Sequence, residues 1–108
     1  MHGLEVSQVA LSGGMGEGVT MPLGAAAVVA LSVGNALIGC GVFDLAVFEK
    51  RGIPAAKVTG VATVQDLLDG TVRAVNAPAA ALGVAVGQSG RQAAELLLQA
   101  QPAATTAQ

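Results

Sequence analysis

The residues best suited to chemistry lie around Cys40, the one cysteine of this 108-residue chain. Cys40 stands between Gly39 and Gly41, and Asp44 follows four residues later. Glycines let a ligand approach the backbone closely, and a thiol near a helix N-terminus can be held as a reactive thiolate. Cys40 and Asp44 are therefore the candidate catalytic residues, and Gly39 and Gly41 are candidate ligand contacts.

A structural role for Cys40 competes with this chemistry. A free cysteine is among the most buried residue types and often serves as a small core side chain. The chain's single histidine, His2, is terminal, so a Cys-His nucleophilic pair lacks support. Asp44 would also cap the helix that follows it, and its carboxylate would then occupy the positive end of that helix. These arguments favour a buried, unreactive Cys40.

A second candidate site is the motif Gly87-Gln-Ser-Gly-Arg91. Ser89 and Arg91 could contact an anionic ligand together with backbone N–H groups, although such a turn is more often a plain helix cap. The sequence shows no cluster of histidine, cysteine and acidic residues with metal-ligand spacing. We therefore predict no metal and no cofactor.

The composition narrows the class of protein. Charged residues make up 11% of the chain, its formal net charge is −2, and Phe43 and Phe48 are its two aromatic residues. A core must then be built from aliphatic side chains, and the weakly polar surface favours burial in a homo-oligomer. The net charge gives no basis for binding nucleic acid. A single cysteine and the absence of a basic leader predict a cytoplasmic protein.

The uncharged stretch of residues 22–43 must position Cys40. It is long enough for a membrane-spanning helix, but Gly34-Asn35 near its middle is a hairpin signal and its other glycines disfavour a helix. We therefore predict no membrane span but two strands, residues 25–32 and 36–42, joined by a turn at residues 33–35. Apolar runs of this kind suit central strands covered on both faces.

The remaining segments alternate short strands with short capped helices. Asp44, Thr63, Asn76 and Ser89 each precede a segment with helical character, which makes them N-cap candidates. The last segment has apolar residues at the spacing of an amphipathic helix. The predicted strands are residues 4–11, 17–21, 55–61 and 71–75, and the predicted helices follow the four caps, beginning at residues 45, 64, 77 and 90.

Several motifs in this order resemble the YunC family, a small bacterial and archaeal domain of unknown function. They are Gly34-Asn-Ala-Leu-Ile-Gly-Cys-Gly41, Asp44, Arg51-Gly-Ile53, Gly60-Val-Ala-Thr-Val-Gln-Asp-Leu-Leu68, Leu82-Gly-Val84 and Gly87-Gln-Ser-Gly-Arg91. The resemblance implies a compact α+β domain and carries no established activity. Family members often have methionine where this chain has Gly39 and Gln88. Many also have a basic residue where this chain has Ala62, and the absence of that residue here weakens the case for a shared anion site.

Taken together, the sequence predicts an α+β, two-layer domain with a mainly antiparallel sheet, short helices and a C-terminal amphipathic helix. Residues 1–101 form the single domain, and residues 102–108 form a disordered tail. The favoured function is a non-catalytic, self-associating binding domain whose partner, a protein or a small molecule, is unknown. The alternative is a thiol-dependent enzyme or redox protein that uses Cys40, with Asp44 and Arg91 nearby.

Overall fold

In a computed structural model, which describes residues 4–100, one sheet of six strands carries four short helices. The predicted tail, residues 102–108, lies outside the described residues. The strands are β1 (Glu5–Leu11), β2 (Gly14–Leu23), β3 (Ala26–Val33), β4 (Ala36–Gly39), β5 (Ala55–Val58) and β6 (Val72–Val75). The helices are α1 (Leu45–Lys50), α2 (Val64–Asp69), α3 (Ala77–Ala81) and α4 (Gly90–Gln99). This confirms the α+β class.

The strands lie side by side in the order in which they occur along the chain. Every neighbouring pair is antiparallel except β4 and β5, which are parallel and joined through α1. A parallel pair needs a crossover connection, and here a short helix supplies it. β1 and β6 are therefore the two edges of the sheet.

The predicted apolar hairpin is confirmed as β3 and β4. Its turn falls at Gly34, whose φ of +60° is the left-handed conformation that such turns require. β4 ends at Gly39 rather than at residue 42, because the chain turns there and Phe43 N–H donates to the Cys40 carbonyl at 3.2 Å. β5 is likewise shorter than predicted, since the chain leaves the sheet before Gly60, whose φ is +75°.

The second strand is longer than the predicted residues 17–21 and continues through Pro22 to Leu23. Its backbone alternates, so that Gly18 and Pro22 direct their hydrogen-bonding groups to the side on which β1 lies. Among residues 4–100, β1 pairs with β2 as far as Glu5 and Thr20, so the missing proline N–H lies beyond this pairing and breaks none of its hydrogen bonds. Proline therefore does not end β2.

All four predicted N-caps are confirmed. The side chains of Asp44, Thr63, Asn76 and Ser89 each accept a hydrogen bond from a backbone N–H in the first turn of the following helix. These bonds satisfy donors that have no partner within the helix. Because each helix has five to ten residues, the caps fix where every helix begins.

The core lies on one face of the sheet, which we call the core face. α2 and α4 pack against this face, and their Leu67 and Leu97 are 0% exposed. The bulky strand residues buried beneath them are Val29, Leu31, Val33, Ile38, Val58 and Val72. Gly90 allows the two helices to touch, since a Cβ there would overlap the Leu67 carbonyl oxygen.

The opposite face of the sheet, the second face, is covered only over part of its width. Gly39 belongs to this face, and the Phe43 ring fills the space where a side chain at Gly39 would lie. Phe43 contacts Phe48 of α1, with ring centroids 6.1 Å apart, and α1 contacts β5. Ala55, also on this face, is 0% exposed. The second face is thus closed over β4 and β5.

Candidate functional site

Cys40 lies in the core of the protein. Its residue exposure is 4%, and its Sγ accepts a hydrogen bond from the Val29 N–H at 3.4 Å. The Cys40 N–H in turn donates to the Val29 carbonyl at 3.0 Å, which extends the β3–β4 ladder by one residue. A thiol buried in this way has little access to a substrate, so this environment suits a packing role.

The two glycines beside Cys40 serve different neighbours. A side chain at Gly39 would collide with the Phe43 ring, so the absence of a Cβ there makes room for that ring. Gly41 is exposed, and a Cβ added to it would make ordinary contact with Thr59 at 3.4 Å. The space at Gly39 is therefore filled by the protein itself, whereas Gly41 lies at the surface.

Asp44 acts as the cap of α1. Its Oδ1 accepts a hydrogen bond from the Ala46 N–H at 3.0 Å, and the residue is exposed. Within residues 4–100, no hydrogen bond joins Asp44 to Cys40. The two candidate catalytic residues, although close in sequence, thus have separate roles: Cys40 packs in the core, and Asp44 caps a helix.

The side chains of Ser89 and Arg91 also have different hydrogen-bond partners. Ser89 Oγ accepts from the Gln92 N–H at 3.0 Å, and its backbone forms a bridge with Thr71. Arg91 Nη1 donates to the Ala10 carbonyl of β1 at 3.2 Å. Ser89 is therefore occupied as a cap, whereas Arg91 reaches the first edge of the sheet.

Arg91 borders a surface groove between β1 and α2. The groove encloses a volume of about 380 Å³. It is lined by Ser7, Gln8, Val9, Ala10, Val64, Gln65, Leu68 and Arg91. Sequence reasoning missed this groove, because its lining comes from three segments far apart in the chain.

Asn76 is a second residue whose role is larger than its sequence position indicated. It is 5% exposed, and its Oδ1 accepts from the N–H groups of Ala55 and Ala79 at 3.0 and 3.1 Å. Its Nδ2 donates to the carbonyl of Ile53 at 2.9 Å and lies 3.5 Å from that of Leu45. The helix-start pattern predicted the cap of α3, but only the fold brings α1 and β5 to the same amide.

Several exposed apolar side chains lie together on the second face of β1, β2 and β3, which we call the open face. Its apolar members share one orientation in the strand registers and include Val6, Met15, Val19, Met21, Leu23, Val28 and Ala30. The same face also carries a polar row across the strands, Gln8, Glu17 and Ser32. Val6, Met15 and Leu23 are 53–55% exposed, and Met21 is 41% exposed. The prediction that both hairpin strands are covered on both faces is therefore wrong for β3, because α1 covers only β4 and β5.

The β2–β3 hairpin extends the open face beyond the neighbouring strands. Within residues 4–100, residues 21–28 pair only with each other, because the described part of β1 begins opposite Thr20 and the β3–β4 ladder stops at Val29. We call these residues the arm. Most of the arm is exposed, and it contains no charged residue. A two-stranded ribbon of this kind has little stability by itself in water.

Two further observations on the described part of the chain concern metal ligands and membrane-spanning helices. Residues 4–100 contain no group of three histidine, cysteine or acidic residues that could hold a metal ion. Among the helices of the same residues, none has the length and apolar character needed to cross a membrane.

Comparisons with known proteins agree with the motifs and the fold. Residues 39–97 match the model of a domain of unknown function, DUF1805. The chain is 37% identical to the uncharacterized protein YunC of Bacillus subtilis over 79 residues, which cover 69% of this chain and 78% of YunC. Its fold is similar to the crystal structure of TA1206, a protein of unknown function from Thermoplasma acidophilum, with a TM-score of 0.78 and 22% identity. That match covers 83% of this chain and 88% of TA1206.

Proposed function

We propose that this chain, which belongs to the DUF1805 family of YunC-like domains of unknown function, is a non-catalytic domain that acts by self-association and by binding a partner. The open face carries this proposal. It is a largely apolar surface on three neighbouring strands, interrupted by Gln8, Glu17 and Ser32 on the same face, and an exposed apolar patch of this size is often a functional contact site. A second copy of the chain is its proposed occupant.

The size of the open face supports a second copy that also contacts the arm. Three strands about 4.8 Å apart, each about seven residues long at 3.3 Å per residue, give a footprint of roughly 350 Å². A stable interface buries about 800 Å² on each partner. The open face, which already includes Met21, Leu23 and Val28 of the arm, falls short of this area, and the exposed turn of the arm at Gly24 and Ala25 supplies further surface next to it. An isologous dimer that packs the two open faces together and includes both arms would bury all of it.

This arrangement extends the predicted two-layer architecture. Over β1–β3, α2 and α4 form the layer on one side, and the second copy would close the other side. α4 suits this role as an amphipathic helix, since Ala93, Ala94 and Leu97 are buried while Arg91 and Gln99 are exposed. The low charge of the chain and its single cysteine support a cytoplasmic protein that does not bind nucleic acid.

The thiol-dependent alternative has less support from the geometry. Cys40 is buried and Asp44 caps a helix, so neither is presented to a substrate. Arg91 donates to the backbone of β1 and forms an ion pair with Glu95 at 3.9 Å. These contacts therefore fit a binding domain without catalytic activity better than a thiol-dependent enzyme.

Light scattering coupled to size-exclusion chromatography tests self-association. At micromolar concentration we expect the wild-type chain to elute as a discrete homo-oligomer without detergent. Leu23→Glu places a charge in the proposed interface, and burying it unpaired should raise the dissociation constant at least about 100-fold. The variant should then elute as a folded monomer.

Val86→Glu is the matched control, because Val86 is 61% exposed but lies in the loop between α3 and α4. It should leave the oligomer intact. Circular dichroism establishes that both variants fold. A monomeric wild-type chain at micromolar concentration, or equal dissociation of both variants, would contradict the proposal.

A further inference from the structure

The two edges of the sheet are protected to different extents. At β6, the segment of residues 87–89 lies along the edge: Val72 N–H donates to the Gln88 carbonyl at 2.8 Å, and Gly87 N–H donates to the Val72 carbonyl at 3.0 Å. The bridge between Thr71 and Ser89 continues this pairing. The chain thus covers its last edge with its own extended backbone, which protects the edge from pairing with other chains.

At β1, only one end of the edge is protected. The Ala10 carbonyl accepts from Arg91 Nη1, and the Ser12 N–H donates to Glu95 Oε2 at 2.8 Å. Ala10 and Ser12 therefore direct their backbone groups away from β2. Because this direction repeats every second residue, Val6 and Gln8 direct theirs outward as well. Within residues 4–100, no backbone segment pairs with β1 on that outer side.

The groove lies directly beside this open part of the edge. The β1 residues Ser7 and Val9, whose side chains point toward the core face, form one wall, and Val64 and Leu68 of α2 form the other. A strand added to β1 would place alternate side chains over this groove, because side chains alternate between the faces of a sheet. Val9, Val64 and Leu68 offer apolar surface to a side chain of such a strand, beside the polar lining of Ser7, Gln8 and Gln65.

The groove also carries a charge preference. Arg91 is its one charged lining residue, and its side chain is 44% exposed despite the ion pair with Glu95. Arg91 lies at the end where the edge closes, beside Ala10. A carboxylate on the incoming peptide would complement this guanidinium.

We propose that this groove binds an extended peptide, which adds to β1 as a seventh strand at Val6 and Gln8. An apolar side chain of the peptide enters the groove, and a carboxylate of the peptide contacts Arg91. Strand addition of this kind derives affinity from backbone hydrogen bonds and selectivity from pockets for alternate side chains. The inference supplies the partner class for the proposed binding function and does not depend on self-association.

A second copy of β1 is the less suitable occupant of this edge. Antiparallel pairing of two β1 strands places the two-fold axis perpendicular to the sheet, so both open faces would remain on the same side. The exposed apolar surface would then double rather than become buried. Packing of the open faces, by contrast, leaves the groove on the core face side accessible.

Binding is tested with an array of pentapeptides that have a free carboxyl terminus, varied among Val, Ile, Phe, Thr, Lys and Asp at each position. We expect the wild-type chain to select peptides with an apolar residue at alternate positions and an acidic residue or the terminal carboxylate next to Arg91. For the tightest peptide, measured by fluorescence anisotropy, Arg91→Gln should weaken binding about tenfold, and Arg91→Lys should retain most of it because the charge remains. N-methylation of the peptide backbone at alternate residues should abolish binding.

Gln8→Pro tests the strand addition itself. It removes an outward N–H that has no partner in the sheet, so it should weaken peptide binding at least fivefold without lowering the midpoint of urea unfolding. The Leu23→Glu variant should bind the peptide like the wild-type chain, which separates this inference from the oligomer. No selected peptide on the array, or binding that is insensitive to both Gln8→Pro and backbone N-methylation, would overturn the proposal.

Discussion

The β4–β6 half of the sheet and the β1–β3 half differ in what covers the second face. Over β4 and β5, the Phe43 ring and α1 close that face, and Asn76 ties α1, β5 and α3 together with buried hydrogen bonds. Over β1–β3, no helix of the described chain lies on that face, and Val6, Met21 and Leu23 are 41–55% exposed. Both halves share the core face, where α2 and α4 pack.

This difference shows that aliphatic content alone does not decide which surfaces are buried. The strands of both halves are rich in alanine, valine and leucine. The closed half adds a polar anchor, because a buried amide with complementary donors and acceptors fixes how the covering segments sit. In the described part of the chain, the open half has no buried polar side chain comparable to Asn76.

Removing the anchor should give the largest loss of stability. Asn76→Ala leaves the Ala55 N–H and the Ile53 carbonyl without their side-chain partner in a buried site. We expect the free energy of unfolding to fall by about 3 kcal/mol, since each unsatisfied buried group costs about 1–3 kcal/mol. Urea unfolding followed by circular dichroism measures the change.

Gln65→Ala provides the control, because the Gln65 amide donates to Asp69 at the surface and its loss should change stability by less than about 0.5 kcal/mol. If Asn76→Ala cost no more than this control, apolar packing alone would hold the closed half, and the contrast between anchored and open halves would disappear.

Two adjacent valines of β3 sharpen the contrast between the faces. Val29 points to the core face and is 0% exposed, whereas Val28 belongs to the open face. In the Leu23→Glu background, which removes self-association, Val29→Ala should lower the free energy of unfolding by about 2 kcal/mol because it leaves a cavity. Val28→Ala should lower it by less than about 1 kcal/mol. Equal losses in urea titrations would mean that the open face is closed within the single chain.

Cys40 tests the boundary between the two halves, because it follows β4 and its Sγ accepts from Val29 of β3. Cys40→Ala should lower the free energy of unfolding by about 1 kcal/mol, as expected for the loss of a small buried side chain. The native thiol should react with a chromogenic disulfide reagent far more slowly than the thiol of the urea-unfolded chain. Fast native labelling that is lost in Arg91→Ala, with the fold retained, would instead favour the thiol-dependent enzyme.

Local interactions explain why the sequence alone predicted so many boundaries. The four caps at Asp44, Thr63, Asn76 and Ser89 each act within three residues, so their positions mark the helix starts correctly. The turn at Gly34 depends on the conformation of a single residue, and it too falls where the sequence predicted. The motif order from residue 34 onward identified the family for the same reason, since it is a property of the linear chain.

The tertiary structure alone decided which apolar surface is buried and which groups meet. The contact of the Cys40 thiol with Val29 and that of Arg91 with the Ala10 carbonyl join residues 11 and 81 positions apart. The open face of β1–β3 forms from nearer neighbours, but its exposure depends on where the helices pack. The sequence of β3 has apolar residues on both faces but does not say which face a helix will cover, because that depends on the path of the crossover through α1. Within residues 4–100, the path places Phe43 and α1 on the second face at β4 and β5 and no helix on that face of β1–β3, since α1 is short and returns at once to β5.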